Sequence, residues 1–211
     1  MVATYCSVDD VANVLGHVDG YFDASSSPTD TTITKFIERA EARINNRTGH
    51  SWKTETASDE YMDPSSLYRY GTGIRFSLIH RKVKTFVSNT DKIEVWDGNT
   101  WVDWVATKTE GRNKDYWVDE TNGTVYLVTA RNIFPNGIRV TYRYGESTVS
   151  GGIEEAACMM AAIMITLSPE YQAISFTDDG GSNRLGDSAR VAEWKDRIKS
   201  ILDNNQEFHI V

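Results

Sequence analysis

Residues 181–188 read GSNRLGDS, and the spacing of Gly181, Gly186 and Ser188 is that of a phosphate-binding loop, G-x-x-x-x-G-K-[ST]. That loop works because a lysine ammonium reaches the terminal phosphates. Asp187 stands in the lysine's place, and a carboxylate there repels the ligand. No second acidic magnesium-binding motif ends an apolar strand, so the nucleotide reading fails on electrostatics. The structural alternative makes Gly180, Gly181 and Gly186 a hinge, with Asp187 or Ser188 capping the helix that follows.

The other chemistries fail in similar ways. Read as a calcium loop from Asp178, DDGGSNRLGDSA puts Asn183 at the required glycine position and Ala189 at the closing glutamate position. His17, His50, His80 and His209 are far apart and lack a histidine or cysteine at zinc-ligand spacing. Serines abound, but none sits in a G-x-S-x-G elbow. The pairs Asp9–Asp10 and Glu154–Glu155 fall in first helical turns, where capping and the helix dipole account for them without acid–base catalysis. The residues therefore predict no catalytic group, metal ligand or cofactor site, and the expectation is a protein that is not an enzyme.

The aromatic residues Trp96, Trp101, Trp104, Tyr116, Trp117 and Tyr126 admit two roles. Exposed rings on a β module can stack on sugars or bases, while alternating aromatics more often fill a core or pack across strands. Packing is the expected role, and a glycan-binding module is the ligand-binding alternative.

The elements that position these residues are written in periodicity and punctuation. Ser7, Asp10 and Gly16 bracket a short helix with Val8, Val11, Ala12, Val14 and Leu15 on its apolar face. A second helix runs from a cap at Asp30 or Thr31 to Gly49, with Ile33, Phe36, Ile37, Ala40 and Ile44 at three- and four-residue steps. From Trp52 to Tyr144 the texture turns β-branched and aromatic. Asp97-Gly98 and Asn122-Gly123 mark two hairpins, the latter as a tight turn in which both residues tolerate positive φ. The expectation is an antiparallel sheet or small barrel of five or six strands. After Gly151 and Gly152, IEEAACMMAAIMITL reads as a helix apolar almost all round and ended by Pro169. A last helix from Asp187 or Ser188 carries Val191, Trp194, Ile198, Ile201 and Leu202 on one side.

The fold class is thus α+β: a helical domain of about four helices over residues 1–52 and 138–211, with an inserted β-hairpin module over 53–137. At 211 residues the chain can bury a core without disulfides or metals. Cys6 and Cys158 suit small buried hydrophobes and a reducing compartment. No signal peptide is read at the N-terminus, and the longest apolar run is too short for a bilayer span, so a soluble protein is expected. The net charge of −8 belongs to the ends of the chain: residues 1–50 carry 4 basic and 7 acidic side chains, residues 51–149 carry 13 of each, and residues 150–211 carry 5 and 10. The one dense basic cluster, Arg81, Lys82 and Lys84, is too small to predict tight DNA binding.

Three segments together resemble the head–tail connector or adaptor proteins of tailed phages, the gp6-like and gp15-like group: YCSVDDVANVLG, ITKFIERAEARINNRTGHSW and IRVTYRYGESTVSGGIEEAACMMAAIMI. They cover roughly the first 52 residues and those from Ile138 to about Leu167. Residues 85–137 form a larger β module than short connectors carry, and Ser150 and Gly151 stand where a proline is common. The resemblance implies a virion structural protein, assembled in the host cytoplasm into a ring, usually a dodecamer. Such a ring binds the portal protein on one side and a neck, tail or tail-terminator protein on the other. Genomic DNA passes through its channel without specific binding, and no membrane is involved. It also implies that the C-terminal tail, residues 203–211, docks onto the portal through Phe208, Ile210 and Val211; a frayed terminus is the alternative. Two further readings stay open: a tail-associated β module binding glycan or another tail protein, and a nucleotide-binding phosphohydrolase.

Overall fold

The computed structural model describes residues 5–63, 68–70, 73–130, 134–169 and 183–205. It divides into two compact units, one made of residues 1–53 and 148–211 and the other of residues 54–147. Among the described residues there are five helices and two antiparallel sheets, so the class is α+β.

The helical unit holds α1 (Val8–Leu15), α2 (Asp30–Thr48), α4 (Gly151–Thr166) and α5 (Asn183–Asn204). A full capping box starts α1: the Ser7 hydroxyl accepts the Asp10 amide while the Asp10 carboxylate accepts the Ser7 amide, and Gly16 ends the helix in the left-handed conformation. Thr29, one residue before the expected position, caps α2 by accepting the Thr32 amide, and Gly49 closes it as expected. Ile33, Ile37, Ala40 and Ile44 are buried along its predicted stripe. They meet α4, whose residues Ile153, Ala156, Ala157, Cys158, Met159, Ala161, Ala162 and Ile165 are buried. A helix wetted on so little of its surface has to be the centre of its unit. Gly151 and Gly152, expected to end the strand pattern ahead of this helix, are instead its first two residues. Val191, Ile198 and Leu202 of α5 are buried, as their spacing predicts.

Two acidic or phenolic side chains lock the N-terminal segment into this unit. Glu41, buried within α2, takes the Tyr5 amide and, at 2.6 Å, the Lys53 ammonium. The Tyr5 hydroxyl donates to Asn45 and accepts the Trp52 amide at 2.8 Å.

The β unit contains β1 (Glu55–Met62), β2 (Tyr68–Tyr70), β3 (Gly73–Ser77), β4 (Lys92–Trp96), β5 (Trp101–Asp103), the one-turn helix α3 (Trp104–Thr107), β6 (Tyr116–Asp119), β7 (Thr124–Leu127) and β8 (Ile138–Tyr144). Its strands form two four-stranded sheets, ordered β1-β8-β4-β5 and β2-β3-β7-β6. Phe76, Val125 and Leu127 from one sheet share a core with Ile93, Val95, Ile138, Val140 and Tyr142 from the other. The expected strand count was too low: β2 has only three residues, and β1, ETASDEYM, has eight but too few apolar side chains to announce a strand in sequence. The expected boundary at residue 137 also moves: β8 pairs with both β1 and β4, so residues 138–144 belong with the strands and not with the helices.

Candidate functional site

Of the residues singled out for docking and hinging, Gly180, Gly181, Phe208, Ile210 and Val211 lie outside the described residues. Gly186 and Asp187 lie inside α5, which begins at Asn183. Asp187 therefore does not cap that helix and Gly186 does not precede it. The physical reason is that one glycine in a helix costs only about 1 kcal/mol against alanine, and Arg184 and Leu185 before it are good helix formers.

The densest titratable constellation in the β unit joins Glu60, Tyr142 and His80. Tyr142 is fully buried on β8, and its hydroxyl donates to Glu60 Oε2 at 2.6 Å. The Tyr142 hydroxyl oxygen also meets His80 Nδ1 at 3.0 Å and accepts the His80 amide at 3.3 Å. With the single hydroxyl proton committed to Glu60, Nδ1 must carry the proton it shares with Tyr142. The other Glu60 oxygen accepts the Ile79 amide at 2.9 Å. His80 stacks on Tyr144 at 3.7 Å, and the Tyr144 hydroxyl donates to Glu55 at 2.9 Å.

A triad made of glutamate, tyrosine and histidine invites a catalytic reading, but its electrostatics oppose one. Burial, then the hydrogen bond to Glu60, pushes the Tyr142 phenol well above its ordinary range, so no phenolate nucleophile forms near neutrality. Burial lowers the His80 pKa, against the smaller pull of Glu60 and Glu55. The network closes on itself and ties β1 to β8 and to the segment after β3. Nearby charges are used the same way. Arg139 holds Glu94 through two hydrogen bonds of 2.7 and 2.9 Å, and Arg143 holds the fully buried Asp91 at 2.8 Å. Among the described residues no group of three or more His, Cys, Asp or Glu is placed to hold a metal ion. No described helix is long and apolar enough to cross a membrane.

The aromatic residues divide by face. Trp104 and Tyr116 are in the β core, which is the packing role expected of them. Trp96 and Trp101 pair across β4 and β5 with ring centroids 5.5 Å apart. Arg139 lies over Trp101 at 4.7 Å, and Tyr61 meets the same ring edge-on at 6.3 Å. In the second sheet Trp117 and Tyr126 are directly opposite on β6 and β7 and stack at 4.1 Å, 5° from parallel. Arg75, opposite Tyr126 on β3, covers its other side at 5.6 Å, and Arg112 covers Trp117 at 4.7 Å. The order is arginine, tyrosine, tryptophan, arginine, each plane resting on the next. Both ring faces are taken, so this pair offers no open platform to a sugar.

Sequence reasoning missed Arg75, Arg112, Arg139 and Tyr61. The available signal was alternation: each belongs to the outward set of its strand or the loop beside it. It could not be used without the register. Asn122-Gly123 suggests a two-residue turn, but Asp119 pairs with Thr124, so the loop has four residues and of that dipeptide only Gly123 has positive φ. The Asp97-Gly98 hairpin likewise closes at Trp96 and Trp101. A two-residue loop at Asn122-Gly123 would have put Trp117 opposite Val128 and left Tyr126 without its stacking partner.

No family model matches the chain, and no curated protein matches it in sequence. Among solved structures, a chain in the virion of a native gene transfer agent (GTA) particle is similar at a TM-score of 0.51 and 14% identity, over 95% of this chain and 90% of that one. A chain in the neck of an empty GTA particle gives a TM-score of 0.49 and 13% identity, over 96% and 89%. The first likeness shows a shared fold along nearly the whole of both chains.

Proposed function

We propose that this protein is a structural component of a phage-like virion: a non-enzymatic head–tail adaptor whose ring, a dodecamer in our reading, joins the portal to the neck or tail. The carrying observation is the fold it shares over 95% of its length with a chain of the GTA virion. Four carboxylates of the two units support the reading, because each is spent on a structural partner. Glu41, Glu60, Asp91 and Glu94 each hold a partner within the chain. The apolar tail residues Phe208, Ile210 and Val211 are the proposed portal contact, and Gly180 and Gly181 the proposed hinge for α5. The channel would pass genomic DNA without gripping it, since the chain is acidic overall.

The test is electron microscopy of the purified protein with and without its portal protein. Rings that form alone or on the portal are expected; a protein that stays monomeric with portal present defeats the adaptor role. Deleting residues 206–211 separates the tail's part, since unchanged portal affinity removes it from the interface. The glycan reading loses its platform at Trp117 and Tyr126, and the nucleotide reading has no supporting lysine.

A further inference from the structure

The geometry points to a contact between two copies of this chain, in which the Arg75–Tyr126–Trp117–Arg112 stack of one receives the acidic surface around α1 of the next. The two arginines differ from those of the other sheet in what they lack. Arg139 and Arg143 on the other sheet are each paired with a carboxylate. Arg75 and Arg112 rest on rings and form no ion pair among the described residues. Asp119 is near enough for Arg112 to help lower its pKa, but that carboxylate is engaged first by Asn122. Both arginines are exposed and anchored over a ring, and a guanidinium so held is a fork for a carboxylate.

The chain itself offers carboxylates to such a fork. The first 34 residues contain five aspartates, Asp9, Asp10, Asp19, Asp23 and Asp30, and no lysine or arginine. Beside them Val18 and Tyr21 are 75% and 43% exposed, Tyr21 stacked on His17 at 3.7 Å and edge-on to Phe22 at 4.9 Å. An acidic rim around exposed apolar anchors is the complement of a basic rim around stacked aromatics. The units differ in the same sense: the helical unit has 10 basic and 17 acidic side chains, the β unit 12 and 13. Two different patches on one chain give a head-to-tail contact, which closes into rings when the rotation permits. The inference takes its setting from the assembly role proposed above, but the contact itself is tested without it.

Analytical ultracentrifugation of the full chain at ~50 mM and ~500 mM salt reads the contact directly, because exposed charge pairs are screened over that range. Self-association at low salt is expected, weakened about tenfold or more by Arg75→Gln with Arg112→Gln. Asp9→Asn with Asp19→Asn should weaken it comparably, asparagine keeping the acceptor oxygens that Gly20 and Asn13 use. Lys92→Gln with Lys195→Gln removes the same charge elsewhere and should change little. A chain monomeric under all conditions overturns the inference. So does an arginine double variant that associates like the parent, or a lysine control that weakens it equally. A chain that associates through these residues yet never enters a particle would instead sink the virion reading and leave the contact standing.

Discussion

Asp91 shows how single residues carry the β unit. It is fully buried, and its oxygens accept the amides of Val87 and Arg143 as well as the Arg143 guanidinium. Removing the arginine strands a charge that two amides only partly satisfy. Arg143→Ala should therefore cost about 3 kcal/mol in urea unfolding, the low end for a broken buried pair. His80 makes a pH prediction. Its folded pKa lies below the ordinary value because burial disfavours the imidazolium, so the unfolded chain binds more protons as pH falls. Stability should be full above about pH 6.5 and decline as pH drops through the folded value. His17 shifts the same way for the same reason. The measurement is thus the difference between the parent and His80→Gln, and parallel pH profiles of melting temperature would refute the assignment. Cys6 and Cys158 are both buried, and the neighbouring Cys158 thiol, then burial, pushes the Cys6 thiol far up. Neither should react with a thiol reagent at pH 8 until the helical unit opens.

At the scale of elements, the glycines at turns are decisive where backbone crowds them. A Cβ on Gly123 would lie 2.3 Å from the His80 carbonyl oxygen, and φ there is +64°. Gly123→Ala should destabilise the β unit by more than the ~1 kcal/mol that positive φ alone costs, read by urea unfolding; Gly20→Ala, with nothing within 4 Å of the added carbon, isolates the φ cost. The same contrast explains what the sequence could and could not reveal. The start and stop of α1 and the stop of α2 were legible because Ser7, Asp10, Gly16 and Gly49 act on atoms within four residues of themselves. The burial of α4 was legible because its composition leaves no polar face. Strand pairing is nonlocal. Nothing near Arg139 in the chain announces Glu94 or Tyr61, and a four-residue loop in place of two moves every cross-strand partner. The start of α5 was misjudged because a glycine was given more weight as a breaker than its modest helix penalty warrants.

At the scale of the whole molecule, the β unit is an insertion that enters and leaves at one place. The chain crosses between units at residues 53–54 and 147–148. Just inside those crossings Glu55 pairs with Tyr144, and the Thr54 hydroxyl donates to the Glu146 carbonyl at 2.9 Å. Paired strands lie about 5 Å apart, so the two ends span a gap that a short linker bridges. On the helical side, Lys53 and Trp52 are anchored by Glu41 and Tyr5, contacts made within that unit. Its core contains no residue from 54–147. Excising residues 54–147 and joining Lys53 to Thr148 through about four glycine and serine residues should therefore leave a protein that unfolds cooperatively with helical circular dichroism. Shielded Cys6 and Cys158 thiols would report the same core. A molten, thiol-reactive product would mean that the helical unit depends on the β unit for its fold, and the insertion description would have to be abandoned. If the excised protein folds but no longer self-associates at low salt, the stack carrying Arg75 and Arg112 has gone with the unit that bore it.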